Sequence, residues 1–257
     1  MKTKFVLALF FVLFTFTFLG RNLNEIAYGV AVCDIDKKAE SIDISSPPYV
    51  IAVDKGHGGV DTGAQHIVDE IDVIEKTGEL LYELLEKDEN FTPVFTRDKT
   101  SDPDSRQRCR VAKQAGASLL ISLHANCDSH KSAHGFECYP IPKGRTNHEN
   151  SLKFAKILCK NMEQRGHYLR GENKDGIKYA FYSGKNKIIV DSTDAKIRSA
   201  KSFGILENSP CPRVLAEQCF ITNYSDVENW ATHRGCKKAA EIYYKSILEY
   251  FGLEKAK

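Results

Sequence analysis

Past its first thirty residues the chain alternates between two hydrophobic rhythms. Short apolar runs, "YVIAVD", "TPVFTR", "ASLLISLH", "GFECYP" and "RVLAEQCF", read as β-strands, several apolar enough to be buried on both faces. Between them lie longer segments with a 3.6-residue period. Over 70–87, Val73, Ile74, Thr77, Leu80, Leu81, Leu84 and Leu85 fall on one face of a helix. Over 149–165, Leu152, Ala155, Leu158 and Met162 do the same, and 226–251 reads as a closing helix. Asp102 and Pro103 suit the N-cap and first position of a further helix to about Ala115. Strands separated by helices predict a single α/β domain with a central, largely parallel twisted sheet and helices on both faces.

The N-terminus breaks this pattern. "MKTK" precedes an apolar run over residues 5–20, and "AYG" ends at Gly29 with small residues spaced for cleavage. Residues 1–29 therefore read as an export signal, with an uncleaved anchor as the alternative. Residues 30–47 read as a polar lead-in, and 48–257 as the folded domain. The expected location is outside the cytoplasm, in the periplasm or the extracellular space. All eight cysteines follow Gly29, and export permits disulfides, but eight cysteines allow 105 complete pairings. Cys138 and Cys219 sit in strand-like runs and read as buried packing. With 36 basic against 34 acidic residues the net charge is +2, which provides no excess for neutralising phosphates; nucleic acid is not an expected partner.

In open parallel sheets ligands bind beyond the carboxyl ends of the strands. The residues there are His57, in the glycine-rich "DKGHGGVDTGAQ" after the first strand, His124 at the end of "SLLISLH", and Glu217 at the end of "RVLAE". Two histidines and a carboxylate form a common catalytic zinc set with a fourth position left open. Glu70, opening the helix after the glycine-rich turn, is the candidate third ligand, and Glu217 the candidate proton carrier. "GHGGVDTG" fits neither phosphate-loop pattern, and HExxH is absent.

The ordered blocks "VDKGHGGVDTGA", "RDKTSD", "RVAKQAGASLLISLHAN", "GFECY" and "PRVLAEQCFITNYSD" resemble the zinc-dependent N-acetylmuramoyl-L-alanine amidases of the type 3 group, over residues 49 to about 251. The resemblance implies one zinc per chain held by His57, His124 and a glutamate, with Glu217 catalytic. It implies peptidoglycan as substrate, cut between N-acetylmuramic acid and L-alanine. Two glutamates suit the ligand position. Glu70 leaves Val73, Thr77, Leu81 and Leu84 on the buried face, whereas Glu75 would place Glu83 and Glu86 there, so Glu70 is preferred. Asn126 matches a supporting asparagine, and Arg108 an arginine given a structural role.

Lys55, Cys219 and Lys113 depart from the family's usual proline, glycine and asparagine. His66 is expected in an exposed loop; His130, His134, His148, His167 and His233 are expected at the surface. A surplus stretch, 179–201, reads either as a surface hairpin or as a lid acted on by a regulatory protein. The chain is expected to be a monomer. The alternatives in function are a peptidoglycan-binding module without turnover and a zinc hydrolase of another amide.

Overall fold

A computed structural model describes residues 46–253. The proposed signal over 1–29 and nearly all of the lead-in lie outside them, as does Cys33. The elements run β1 (Tyr49–Lys55), α1 (Glu70–Glu86), β2 (Phe91–Phe95), α2 (Ser105–Gln114), β3 (Leu119–Asn126), β4 (Glu137–Pro140), α3 (His148–Gln164), β5 (Lys178–Ser183), β6 (Asn186–Asp191), α4 (Gly204–Asn208), β7 (Arg213–Phe220) and α5 (His233–Phe251).

Five strands form one sheet in the order β2-β1-β3-β7-β4. The first four are parallel, and β4 joins β7 antiparallel. Side chains alternate between two cores. Ile51, Val53, Leu119, Ile121, Val214 and Ala216 face a layer that includes Leu81 of α1, Leu158 of α3 and Tyr243 of α5. Ala52, Leu120 and Leu215 face Cys109 and Ala112 of α2 and Leu206 of α4. Central strands covered on both sides cannot alternate apolar with polar, which is why β1 and β3 read as continuous apolar runs. Pro93 is tolerated because β2 is an edge strand.

Two helix starts differ from the sequence expectation. Helix α2 begins at Ser105, not Pro103, because Asp104 is the stronger cap: its carboxylate accepts from the Arg106 and Gln107 amides, and the Gln107 side chain reaches back to the Asp104 amide. The closing helix begins at His233, not 226. A turn at Tyr224–Asp226 and a wide turn at Val227–Ala231 precede it, and Thr232 then caps Gly235.

The surplus stretch is an antiparallel hairpin that starts one residue before the expected 179. Its two strands differ in kind. Tyr179, Ala180 and Phe181 of β5 are buried, while Asn186 to Ile189 of β6 are exposed. Among the described residues all seven cysteines are unpaired, and every one except Cys127 is buried. Cys138 and Cys219 are fully buried packing residues. No helix of the described residues is long and apolar enough to cross a membrane.

Candidate metal centre

The carboxyl ends of β1, β3 and β7 open into a cavity of about 400 Å³. His57, Glu70, His124, Asn126 and Glu217 line it. His124 and Glu217 are direct register partners across β3 and β7, so the pleat presents both on one face. A register shift follows between His124 and Asn126, which re-aims the backbone at Ala125.

The turn after β1 is shaped around this group. A Cβ on Gly56 would lie 2.3 Å from the His124 ring, and one on Gly63 2.7 Å from Glu70 Oε2, so neither position admits a side chain. His57 itself is left-handed, with φ 53°, a strained state for a residue with a Cβ. Two arginines brace the turn from below. Arg97 donates to the carbonyls of Lys55 and Gly56, and Arg108 to those of Lys55 and His57. The structural role expected for Arg108 is thus bracing of the ligand-bearing turn, alongside a contact to Asp54.

Glu70 sits at the centre of the cluster. Its Oε1 lies 3.1 Å from His57 Nε2 and 3.1 Å from His124 Nδ1, and it accepts from the Ala125 amide. Its Oε2 accepts from the Ala64 amide. Burial alone would raise this carboxyl's pKa, but the hydrogen bonds and charges of His124 and His57 hold it well below the usual range. Burial pulls His57 down, yet Glu70 and Asp61 outweigh it and raise the imidazole to about 9. Asp61, which sequence reasoning passed over, meets His57 Nδ1 at 2.8 Å and so points Nε2 into the cavity. The signal was present: a carboxylate four residues after the histidine in the same turn.

The three donor groups lie within 4.8 Å of one another and form a His–Glu–His set. This fits a divalent ion. Four ligands at about 2.0–2.1 Å in a tetrahedron stand roughly 3.3 Å apart, close to the nitrogen–oxygen separations here.

Glu75, the other candidate, is also buried but is committed elsewhere. Its carboxylate meets Lys55 Nζ at 2.6 Å and Arg97 Nη1 at 2.7 Å, on the other side of the turn. Lys55, the residue in place of the family's proline, is buried against the Phe95 ring, and Glu75 neutralises it.

Glu217 Oε2 is buried with no hydrogen-bond partner. Burial pushes this carboxyl up to about 7; His124 opposes the shift and Glu70 and Glu137 add to it. Asn126 donates to Glu137 at 3.0 Å, and its own carbonyl accepts from the Cys127 amide, so it ties β3 to β4 beside the cavity. His66, His130, His134 and His233 are exposed as expected, but His148 and His167 are buried. Each is satisfied by a backbone carbonyl 2.7 Å away, that of Ile141 and that of Gln218. Both stand at a boundary of α3, where a polar side chain can turn inward to a strand or loop carbonyl.

Several known proteins are similar to this chain in sequence or in fold. AmiC, an N-acetylmuramoyl-L-alanine amidase of Escherichia coli, is 26% identical over 227 residues, covering 79% of this chain and 53% of AmiC. The germination-specific N-acetylmuramoyl-L-alanine amidase of Bacillus subtilis is 24% identical over 216 residues, 79% of each chain. A cell wall amidase of Bacillus anthracis is 26% identical over 212 residues, of which this chain spans only 35% of the length. In fold, the chain is similar to an N-acetylmuramoyl-L-alanine amidase from Clostridium difficile 630, with TM-score 0.64, 22% identity, and coverage of 81% of this chain and 98% of that one. It is also similar to the CwlD amidase of Clostridioides difficile, solved in complex with the GerS lipoprotein, with TM-score 0.55, 19% identity, and coverage of 80% and 100%. The profile of the Amidase_3 family matches residues 51–249, nearly the whole sheet and its helices, and the chain therefore belongs to that family, the N-acetylmuramoyl-L-alanine amidases.

Proposed function

We propose that this chain is an exported, zinc-dependent hydrolase that cleaves the amide between N-acetylmuramic acid and L-alanine in peptidoglycan. The observation that carries the reading is the shared approach of His57 and His124 to Glu70 Oε1, with an unpartnered Glu217 carboxyl in the same cavity. His57, Glu70 and His124 hold the ion. Bound zinc supplies Lewis acidity and a water that ionises near neutral pH. Glu217, with a carboxyl near neutrality, takes the proton from the attacking water and passes it to the leaving nitrogen. One water is consumed; a lactyl carboxylate and a free L-alanine amine result. Asp61 fixes the His57 ring, and the Ala64 and Ala125 amides fix Glu70.

The leader over 1–29 carries the chain to the wall, and a regulatory protein acts on the 179–201 segment. Two observations support the second part: Lys187 and Phe203, within and just after that segment, line the cavity, and the similar CwlD amidase was solved with a lipoprotein bound. Removing 179–201 whole would strip buried Tyr179, Ala180 and Phe181 from the core, so point substitutions on β6 are the usable probe. The deciding experiment for the activity is metal analysis joined to product identification. About one zinc per chain and new L-alanine amino termini from purified wall are expected. Pelleting with wall without any new termini would replace this reading by a binding module.

A further inference from the structure

The cavity has a wall that the ligand set does not explain. Lys187 of β6 and Phe203 line the same space as His57, Glu70, His124 and Glu217. The Lys187 ammonium lies 5.7 Å from the centre of the Phe203 ring, near enough for a cation–π contact. Its charge is felt at Glu217, whose carboxyl it lowers slightly against burial. Among the described residues Lys187, which is exposed, forms no ion pair with an acid, whereas the buried or half-buried Lys55, Arg97, Arg108, Arg170 and Lys178 do. No acidic residue occurs between Asp175 and Asp191, while Lys178, Lys185 and Lys187 fall in that stretch.

The lysine belongs to a hairpin strand at the cavity rim. Lys187 pairs in register with Tyr182 of β5, and β5 is anchored by buried Tyr179, Ala180 and Phe181. Lys187 is exposed and lies one pair from the Ser183–Asn186 turn, so its backbone is set by the ladder while its side chain reaches the cavity from the rim. An unpaired cation at the rim of a cavity where a polymer is cut has one complementary chemistry: an anionic group on that polymer.

We propose that Lys187 is a specificity-determining residue that binds a carboxylate of the stem peptide on the amine side of the cleaved bond. The proposal rests on the amidase reading. It selects the peptide side because the lactyl carboxyl of the sugar is itself consumed in the amide, whereas carboxylates recur along the stem. A partly solvated ion pair of this kind contributes around 1 kcal/mol, equivalent to about five- to tenfold in KM.

The test uses two soluble muropeptides that differ only in the second stem residue, a free carboxylate in one and a carboxamide in the other. The zinc-loaded full chain is expected to prefer the carboxylate by about five- to tenfold in kcat/KM, through KM and not kcat. Lys187→Met brings the ratio of the two substrates to about one, Lys187→Glu reverses it, and Lys187→Arg keeps it, all with zinc content equal to the parent's. A parent ratio near one, or a ratio that survives Lys187→Met, overturns the role of Lys187. An equal fall in kcat on both substrates also overturns it and makes the lysine part of the chemistry. Failure of the parent to cut either substrate overturns the amidase reading instead, and the proposal falls with it.

Discussion

Glu137 stands directly opposite Glu217 across the β4–β7 ladder, yet the two carboxylates live in opposite electrostatic worlds. Glu137 is met by Arg170 at 2.7 Å, Lys178 at 3.2 Å, Asn126 at 3.0 Å and the Tyr139 hydroxyl at 2.6 Å. These partners are all spent on Glu137, and Glu217, which lines the cavity, is left with a buried, unpartnered oxygen. A group held near neutrality by burial is suited to moving protons.

If Glu217 carries the proton and holds no metal, as proposed, Glu217→Gln should lower turnover by about 100-fold or more while leaving about one zinc per chain. In the zinc-free protein the sign of its pH effect follows from the raised pKa. The native state keeps a proton that the unfolded chain releases above 4.5, so the stabilisation fades as pH rises from 4.5 to about 7. Above that range the native state buries a charge. Glu217→Gln in chelator should therefore melt above the parent at pH 8 and gain nothing at pH 4.5. Loss of zinc from this variant would reverse the assignment of roles.

Glu70 and Glu75 separate by what their removal leaves behind. Glu70→Ala should abolish tight zinc binding, measured by competition with a chelating dye, because the oxygen shared by both histidines is gone. Glu75→Ala should keep its zinc stoichiometry but lose about 3–5 kcal/mol of stability, since Lys55 and Arg97 would remain buried without their counter-charge. Denaturant unfolding of both variants checks this, and a Glu75 variant that loses zinc first would exchange the two residues.

Much of this was legible in the sequence, for physical reasons that differ by residue. His57 lies just past β1, and His124 and Glu217 lie in the carboxyl halves of β3 and β7, which run two and three residues beyond them; buried parallel strands announce themselves as unbroken apolar runs. Glu70 was separable from Glu75 by helix face, but the criterion was incomplete: Glu75 is buried after all, because Lys55 and Arg97 arrive from distant segments to neutralise it. Such pairings are tertiary and leave no local trace. The inward turn of His148 and His167 depends likewise on carbonyls brought near by the fold. Lys187 was in the segment singled out as surplus, but only the pairing of β5 with β6 shows that it faces the cavity. The helix start at Ser105 was readable: "DSRQ" holds both halves of the capping box, and Asp102–Pro103 drew attention away from it.

Asp61 should matter for metal retention. Groups that orient a ligating histidine typically contribute 10–100-fold in metal affinity. Asp61→Ala should weaken zinc binding by about that factor, with far-ultraviolet circular dichroism unchanged, and Asp61→Asn should recover part of it by restoring an acceptor for His57 Nδ1. Unaltered affinity in the alanine variant would show that the strained turn alone orients the ring.

His167 predicts how the domain fails in acid. Its ring lies flat on Trp230, with centroids 3.8 Å apart, and its Nε2–H donates to the Gln218 carbonyl on β7. Burial lowers its pKa to about 3, against the pull of that carbonyl. Below pH 6.5 the unfolded chain takes up a proton there and the native state does not, so stability falls as pH drops from 6.5 towards 3, by about 1.4 kcal/mol per unit. Between pH 7 and pH 5 this one residue should account for roughly 2 kcal/mol of lost stability. His167→Gln keeps a donor for the carbonyl but cannot titrate. Urea unfolding at the two pH values should show the parent losing that much more than the variant, although the variant starts lower for want of the stacked ring. Equal losses in both would place the acid-sensitive group elsewhere.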